Sequence, residues 1–134
     1  MADISSAADY TRLLEDCLGA WNRADAGEVA SHYSERLDYR DPNVPEGIKT
    51  NADFQRYLRV LFRKWPSQEW SPDEVLSHER PGSFSVCYRF RFGNGKREVR
   101  GLGMDRIEFE GDKIRLNWVY LNAEGGGMRL SGHE

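Results

Sequence analysis

Ser85-Val86-Cys87-Tyr88-Arg89-Phe90-Arg91-Phe92 decides how the second half of this chain folds. Val86, Tyr88, Phe90 and Phe92 recur at every second position, with Cys87, Arg89 and Arg91 between them. Successive strand side chains point to opposite faces, so this pattern is a strand with one buried side. Gly93-Asn94-Gly95 follows as a hairpin turn. Further strands are predicted over 99–109 and 114–121, joined at Glu110-Gly111-Asp112. In the last of them Ile114, Leu116, Trp118 and Tyr120 are assigned to the inward face. The stretch 68–79 is a weaker strand, because Pro72 and scattered acids interrupt it.

Upstream of Pro66 the apolar period is helical. Tyr10, Leu13, Leu14, Cys17, Leu18 and Trp21 form the stripe of a first amphipathic helix. Asp25, with Glu28 three residues later, has the form of a capping box and opens a short second helix through Val29 and Tyr33. Thr50 and Asp53 give a similar start signal to a third helix, whose stripe is Phe54, Tyr57, Leu58, Leu61, Phe62 and Trp65, and Pro66 stops it. Between the last two helices, Leu37-Asp38-Tyr39-Arg40-Asp41-Pro42 alternates as a short strand.

Helices first and strands afterwards describe an α+β domain. The expected architecture is three N-terminal helices packed in a strongly curved antiparallel sheet, a cystatin-like cone with an internal pocket. Trp21, Phe54, Phe90 and Trp118 lie on stripes that converge on its core. Residues 1–123 form one domain, and 124–134 a flexible Gly-rich tail.

A chain of 134 residues can bury a core of its own without a metal or disulfide. Its net charge of -3, with acids and bases interspersed, gives no general attraction to nucleic acid or anionic membrane. Arg89, Arg91, Lys96, Arg97 and Arg100 cluster at one hairpin, but no aromatic interleaves them on that face. Cys17 and Cys87 make neither a disulfide framework nor a zinc motif. No apolar run reaches membrane-spanning length, and the N-terminus lacks the form of a signal peptide, so a reduced cytoplasmic setting is expected. A small, mainly apolar or carbonyl-bearing ligand suits this composition, with no cofactor and no metal.

Two acids carry the candidate chemistry. Leu37, Tyr39 and Asp41 share a face, and Pro42 ends the strand, which puts a carboxylate at the rim of whatever that face covers. Asp-Pro also opens turns, here through Asn43, Pro45 and Gly47, so Asp41 is either a base at a pocket mouth or a turn cap. Asp105 shares its parity with Ile107 and Phe109 and points inward. An ionised carboxylate among apolar walls shifts its pKa toward useful values. Trp21, Tyr33, Tyr39, Phe54, Tyr57, Tyr88, Trp118 and Tyr120 are candidate pocket walls, although aromatics at such spacings also make plain core. His32 and His78 have no partners at ligand spacing.

Trp21-Asn22-Arg23-Ala24-Asp25-Ala26-Gly27, Tyr39-Arg40-Asp41-Pro42-Asn43 with Gly47, and Gly103-Met104-Asp105-Arg106-Ile107-Glu108-Phe109 followed by Gly111-Asp112-Lys113-Ile114 and Trp118 occur in this order. Together they resemble the nuclear transport factor 2-like superfamily, in its SnoaL-like branch of polyketide cyclases and ketosteroid isomerases. The resemblance spans about residues 8 to 122 and implies a homodimer through the outer sheet face. It implies the isomerase base at Asp41 and the protonated hydrogen-bond-donating acid at Asp105. Cys17 falls where the isomerases carry an oxyanion-binding tyrosine and so becomes a pocket-lining candidate, although a thiol is a weak donor. The cyclase branch implies an acid–base carboxylate on a later strand, which favours Asp105 over Asp41. A non-catalytic ligand-binding or dimerisation module is the alternative. Epoxide-hydrolase-like water activation ranks third, because Arg100 and Arg106 flank Asp105 without the alternating spacing that an Asp-Arg-Asp constellation needs.

Overall fold

A computed structural model describes residues 7–124, so the tail expected over 124–134 lies, beyond Glu124, outside the described residues. The order is α1 (Ala7–Asn22), α2 (Ala26–Ala30), β1 (Tyr33–Arg40), β2 (Ile48–Thr50), α3 (Asn51–Lys64), β3 (Ser67–Ser77), β4 (Ser83–Gly93), β5 (Glu98–Glu110) and β6 (Lys113–Ala123). Three helices and an α+β arrangement agree with the sequence.

The sheet corrects the expected cone. Its six strands run β2-β1-β6-β5-β4-β3, so β2 and β3 are free edges and the sheet is open, neither closed nor strongly curled. It is also mixed, because β1 pairs parallel with β6 while the other neighbours are antiparallel. A parallel pair needs a long crossover, and α3 with three strands of the meander supplies it here. The edges resist further pairing. β2 has only three residues, and β3 carries Pro72 beside a register shift at Asp73, where a residue without an N–H is tolerated.

Local signals explain most element ends. The Asp25 carboxylate accepts the Glu28 N–H at 3.0 Å, which caps α2. The reciprocal half of the capping box does not form, because the Glu28 carboxylate is held instead by Arg23 at 2.6 and 2.9 Å. Tyr33, expected in the second helix, begins β1. The carbonyl of His32 accepts the N–H of Ile114 at 2.9 Å, and this draws the chain into register with β6. Thr50 caps α3, accepting the Asp53 N–H, an interaction worth about 1 kcal/mol. The Asn51 side-chain amide then donates to the carbonyls of Ala30, Tyr33 and Ser34 at 3.0 to 3.2 Å, tying the start of α3 to the α2–β1 junction.

The core lies between the helices and one sheet face. Trp21, Phe54, Phe84, Val86, Tyr88, Phe90 and Ile107 are buried there, as the alternation in β4 requires. Trp118 is not among them. Glu108 pairs with Leu116 and Phe109 with Ile114, which leaves Arg115 as an extra residue that reverses the parity of β6. Asn117 and Val119 therefore face inward. Trp118 is half-buried on the outer face beneath the Arg40 guanidinium, 4.6 Å from the ring centroid, and Tyr120 is 57 % exposed. Asp105 escapes this reversal because it lies in β5, opposite Val119. No described helix is long and apolar enough to cross a membrane.

Candidate functional site

One face of α1 and the inner face of the sheet enclose a cavity of about 100 Å³. Leu14, Leu18, Val86, Ile107, Ile114 and Val119 supply aliphatic wall, and Trp21, Tyr33, Tyr39, Trp70 and Tyr88 supply rings. Glu15 on α1 and Pro72 and Val75 on β3 also line it and are solvent-exposed, so the opening lies between α1 and the edge strand.

Asp105 reaches this cavity from β5. Its Oδ1 accepts the Tyr88 hydroxyl at 2.6 Å, and its Oδ2 accepts the Asn117 side-chain N–H at 2.9 Å. The Tyr33 hydroxyl donates to Asn117 Oδ1 at 2.6 Å, which fixes the amide so that its nitrogen faces Asp105. Burial disfavours the charged form and raises the Asp105 pKa to about 7, with a smaller push from the charge of Asp41. The Asn117 and Tyr88 hydrogen bonds act the other way without cancelling burial. Asp105 is thus a carboxylate balanced between its two protonation states near neutrality, a property suited to moving protons.

Asp41 sits differently. Its Oδ1 accepts the backbone N–H groups of Asn43 and Val44 at 2.8 and 3.2 Å, and its Oδ2 accepts the hydroxyls of Tyr39 and Tyr57 at 2.7 and 2.5 Å. Four donors hold it in the turn after β1, and it does not line the cavity. The turn-cap alternative describes that environment.

Of the other candidates, Cys17, Trp21, Tyr39 and Tyr88 line the cavity. Phe54 is wholly buried against the rings of Tyr33 and Tyr39, and Tyr57 is engaged with Asp41 and Asn43, so neither reaches it. Trp118 and Tyr120 are on the opposite side of the sheet, for the reason given by the Arg115 bulge. Cys17 is buried, and desolvation pushes its thiol up to about 12, so it is not an anionic nucleophile. His78 bonds Ser85 Oγ at 2.7 Å, and burial lowers the His32 pKa. Among the described residues no His, Cys, Asp or Glu cluster is arranged to hold a metal.

Sequence reasoning missed Asn117, and it placed Tyr33, one of the aromatics it offered as cavity lining, in a helix rather than at the start of β1. Asn117 is the lone amide in Leu116-Asn117-Trp118-Val119-Tyr120-Leu121, a run apolar at both parities. A buried amide in such a run must find partners, and that was the available signal.

An α+β fold with a helix-roofed cavity and one perturbed acid defines a pocket protein of the nuclear transport factor 2-like kind. The model of the SnoaL-like domain matches residues 14–117, and the chain belongs to that family. No curated protein matches it in sequence. Among solved structures it is similar to SalBIII, an epoxide hydrolase/cyclase-like enzyme in pyran ring formation in the polyether salinomycin, at 13 % identity and a TM-score of 0.75 over 86 % of this chain and 92 % of that one. An LEH-like epoxide hydrolase of M. tuberculosis is similar at 16 % identity and 0.73, over 86 % and 84 %. An NTF2-like protein of Burkholderia pseudomallei is similar at 12 % identity and 0.72, over 85 % and 91 %. At these identities the likeness is one of fold.

Proposed function

We propose that this protein binds a small, mainly apolar, enolisable carbonyl compound in the cavity and moves a proton on it with Asp105 alone. The observation that carries this reading is an acid with a pKa of about 7 in an otherwise largely apolar, aromatic-walled cavity. The Asp105 carboxylate accepts a proton from the carbon next to the carbonyl, and the C–H electron pair becomes the C=C bond of the enolate. Protonated Asp105 then returns the proton to the enolate oxygen or to a carbon, so no net oxidant or cofactor enters. This favours a cyclase-like use of one carboxylate over the two-acid isomerase pattern, because Asp41 is consumed by its four donors. Water activation of the epoxide-hydrolase kind has less support. Among the described residues no Arg lines the cavity, Arg106 is turned to Glu108, and Arg100 to Glu98.

The test is exchange of the α-protons of β-tetralone into heavy water, followed by NMR. Catalysed exchange is expected in the wild type and in Asp41→Ala, and its loss in Asp105→Asn. Probe binding that perturbs cavity resonances without any exchange would leave a non-catalytic binding module instead.

We further propose that the outer sheet face pairs with a second copy. Leu102, Met104 and Tyr120 are exposed there, with Met104 opposite both Cys87 and Tyr120 across the strands, a contiguous apolar patch on the face that carries Arg89. Sedimentation is expected to give a dimer at micromolar concentration and a monomer for Met104→Glu. A wild-type monomer would remove this assembly.

A further inference from the structure

The hydrogen bonds around Asp105 restrict which end of a ligand it can meet. Apart from Thr11 on α1, the lining residues with strong N–H or O–H donors are Trp21, Tyr33, Tyr39, Trp70, Tyr88 and Asn117. Five of these six are already committed. Tyr88 and Asn117 donate to Asp105, Tyr33 to Asn117, Tyr39 to Asp41, and Trp70 to Gln68 Oε1 at 2.9 Å. The second Asn117 N–H is directed to the Arg106 carbonyl. Asp105 keeps acceptor capacity at the cavity, since a carboxylate accepts about four hydrogen bonds and two are given to this one by Tyr88 and Asn117.

Charge points the same way. Asp105 shares the cavity with Cys17 and Glu15 of α1, Tyr33 and Tyr39 of β1 and Tyr88 of β4, the charge of Asp41 acts on it from the turn after β1, and Asn117 and Val119 of β6 are neutral. Among the described residues no Lys, Arg or His lines the cavity, while Glu15 stands at the opening. An anion entering this cavity would lose its hydration, meet like charge at Asp105 and Glu15, and find no cationic side chain among the described lining residues. A flat ring, by contrast, meets five aromatic side chains.

We infer that the cavity selects neutral ring compounds carrying a hydroxyl, phenols or the enol form of a cyclic carbonyl compound, which donate that O–H to Asp105, and that it rejects the corresponding carboxylates. The inference rests on the cavity reading above and names the ligand class within it. For a carbonyl compound the species held in this way is the enol that the proposed transfer forms, its hydroxyl toward Asp105 and its oxygen the atom to which protonated Asp105 returns the proton. Tyr33 is a positioning residue in this arrangement, because it sets the Asn117 amide orientation that leaves Asp105 as an acceptor.

Titration of the cavity tryptophan fluorescence with naphthalene, β-naphthol and β-naphthoate, above and below the Asp105 pKa of about 7, tests it. Above that pKa, β-naphthol is expected to bind at least about tenfold more tightly than β-naphthoate, the size of a hydrogen bond to a charged acceptor set against an unpaired buried charge. The ratio is expected to narrow below that pKa, and in Asp105→Asn, where the amide offers a donor. Carboxyl-carbon NMR should also show β-naphthol lowering the Asp105 pKa, because a donor favours the ionised form. Equal binding of β-naphthol and β-naphthoate, or a preference unchanged in Asp105→Asn, overturns the inference while binding of naphthalene leaves the cavity reading standing. Failure of naphthalene as well removes both.

Discussion

Asp105→Asn will make the protein more stable above pH 7 and leave it little changed near pH 4. In the unfolded chain this carboxyl ionises at about 3.9, whereas in the fold burial holds it to about 7. Between those values the folded protein retains a proton that the unfolded chain has released, so stability falls as pH rises through the window, and above it the full cost of a charge in the cavity wall applies. A neutral amide of the same shape avoids that cost. The Tyr88 hydroxyl can turn to accept from the new N–H, so neither neighbour is left without a partner. The gain above pH 7 is roughly 2–4 kcal/mol, which for a domain of this size is a rise in Tm of roughly 7–14 °C. Thermal melts of both proteins across about pH 4 to pH 8 measure it. A difference that stays constant across that range would mean that Asp105 is not desolvated.

That expected gain is itself an argument about function. A residue that costs the fold stability whenever it is charged is the kind of local conflict found at functional sites. Asp41 presents no such conflict, since turn amides and tyrosine hydroxyls stabilise its charge. The two acids look equivalent in the sequence, each on an inward strand parity, and only their surroundings separate them. For Asp41 the Pro42-Asn43 turn was visible, but Tyr57, sixteen residues further on, was not visibly its partner. The strand β4 was legible because Val86 to Phe92 alternates against arginines and fixes its own face. β6 was not legible, since both of its parities are apolar and the extra residue at Arg115 moves Asn117 in and Trp118 out. The parallel pairing of β1 with β6, which opens and mixes the sheet, depends on contacts across some eighty residues that no local pattern encodes.

Gly103→Ala will cost stability and push the Asp105 pKa further up, because the Tyr88 ring lies directly over this glycine. Tyr88 and Gly103 are cross-strand partners, and a Cβ added at Gly103 would fall 2.5 Å from Tyr88 Cε1, 2.7 Å from Cζ and 2.9 Å from the hydroxyl oxygen. All three are closer than nonbonded atoms allow. Tyr88 is buried and wedged edge-on against Trp70, with ring centroids 5.4 Å apart, so it cannot lift away without disturbing its neighbours. Overpacking of this kind costs roughly 1–3 kcal/mol. The displaced hydroxyl loses its 2.6 Å bond to Asp105, one of the two contacts that favour the ionised carboxylate. Carboxyl-carbon NMR should therefore find Asp105 titrating above about 7 in Gly103→Ala and also in Tyr88→Phe, which removes the hydroxyl without crowding. The double variant should titrate no higher than the single ones, because both substitutions remove one hydrogen bond, and sites that act through a shared contact are not additive. An unshifted Asp105 in Gly103→Ala, or fully additive shifts in the double variant, would separate Gly103 from the acid and leave it only a packing role between β4 and β5.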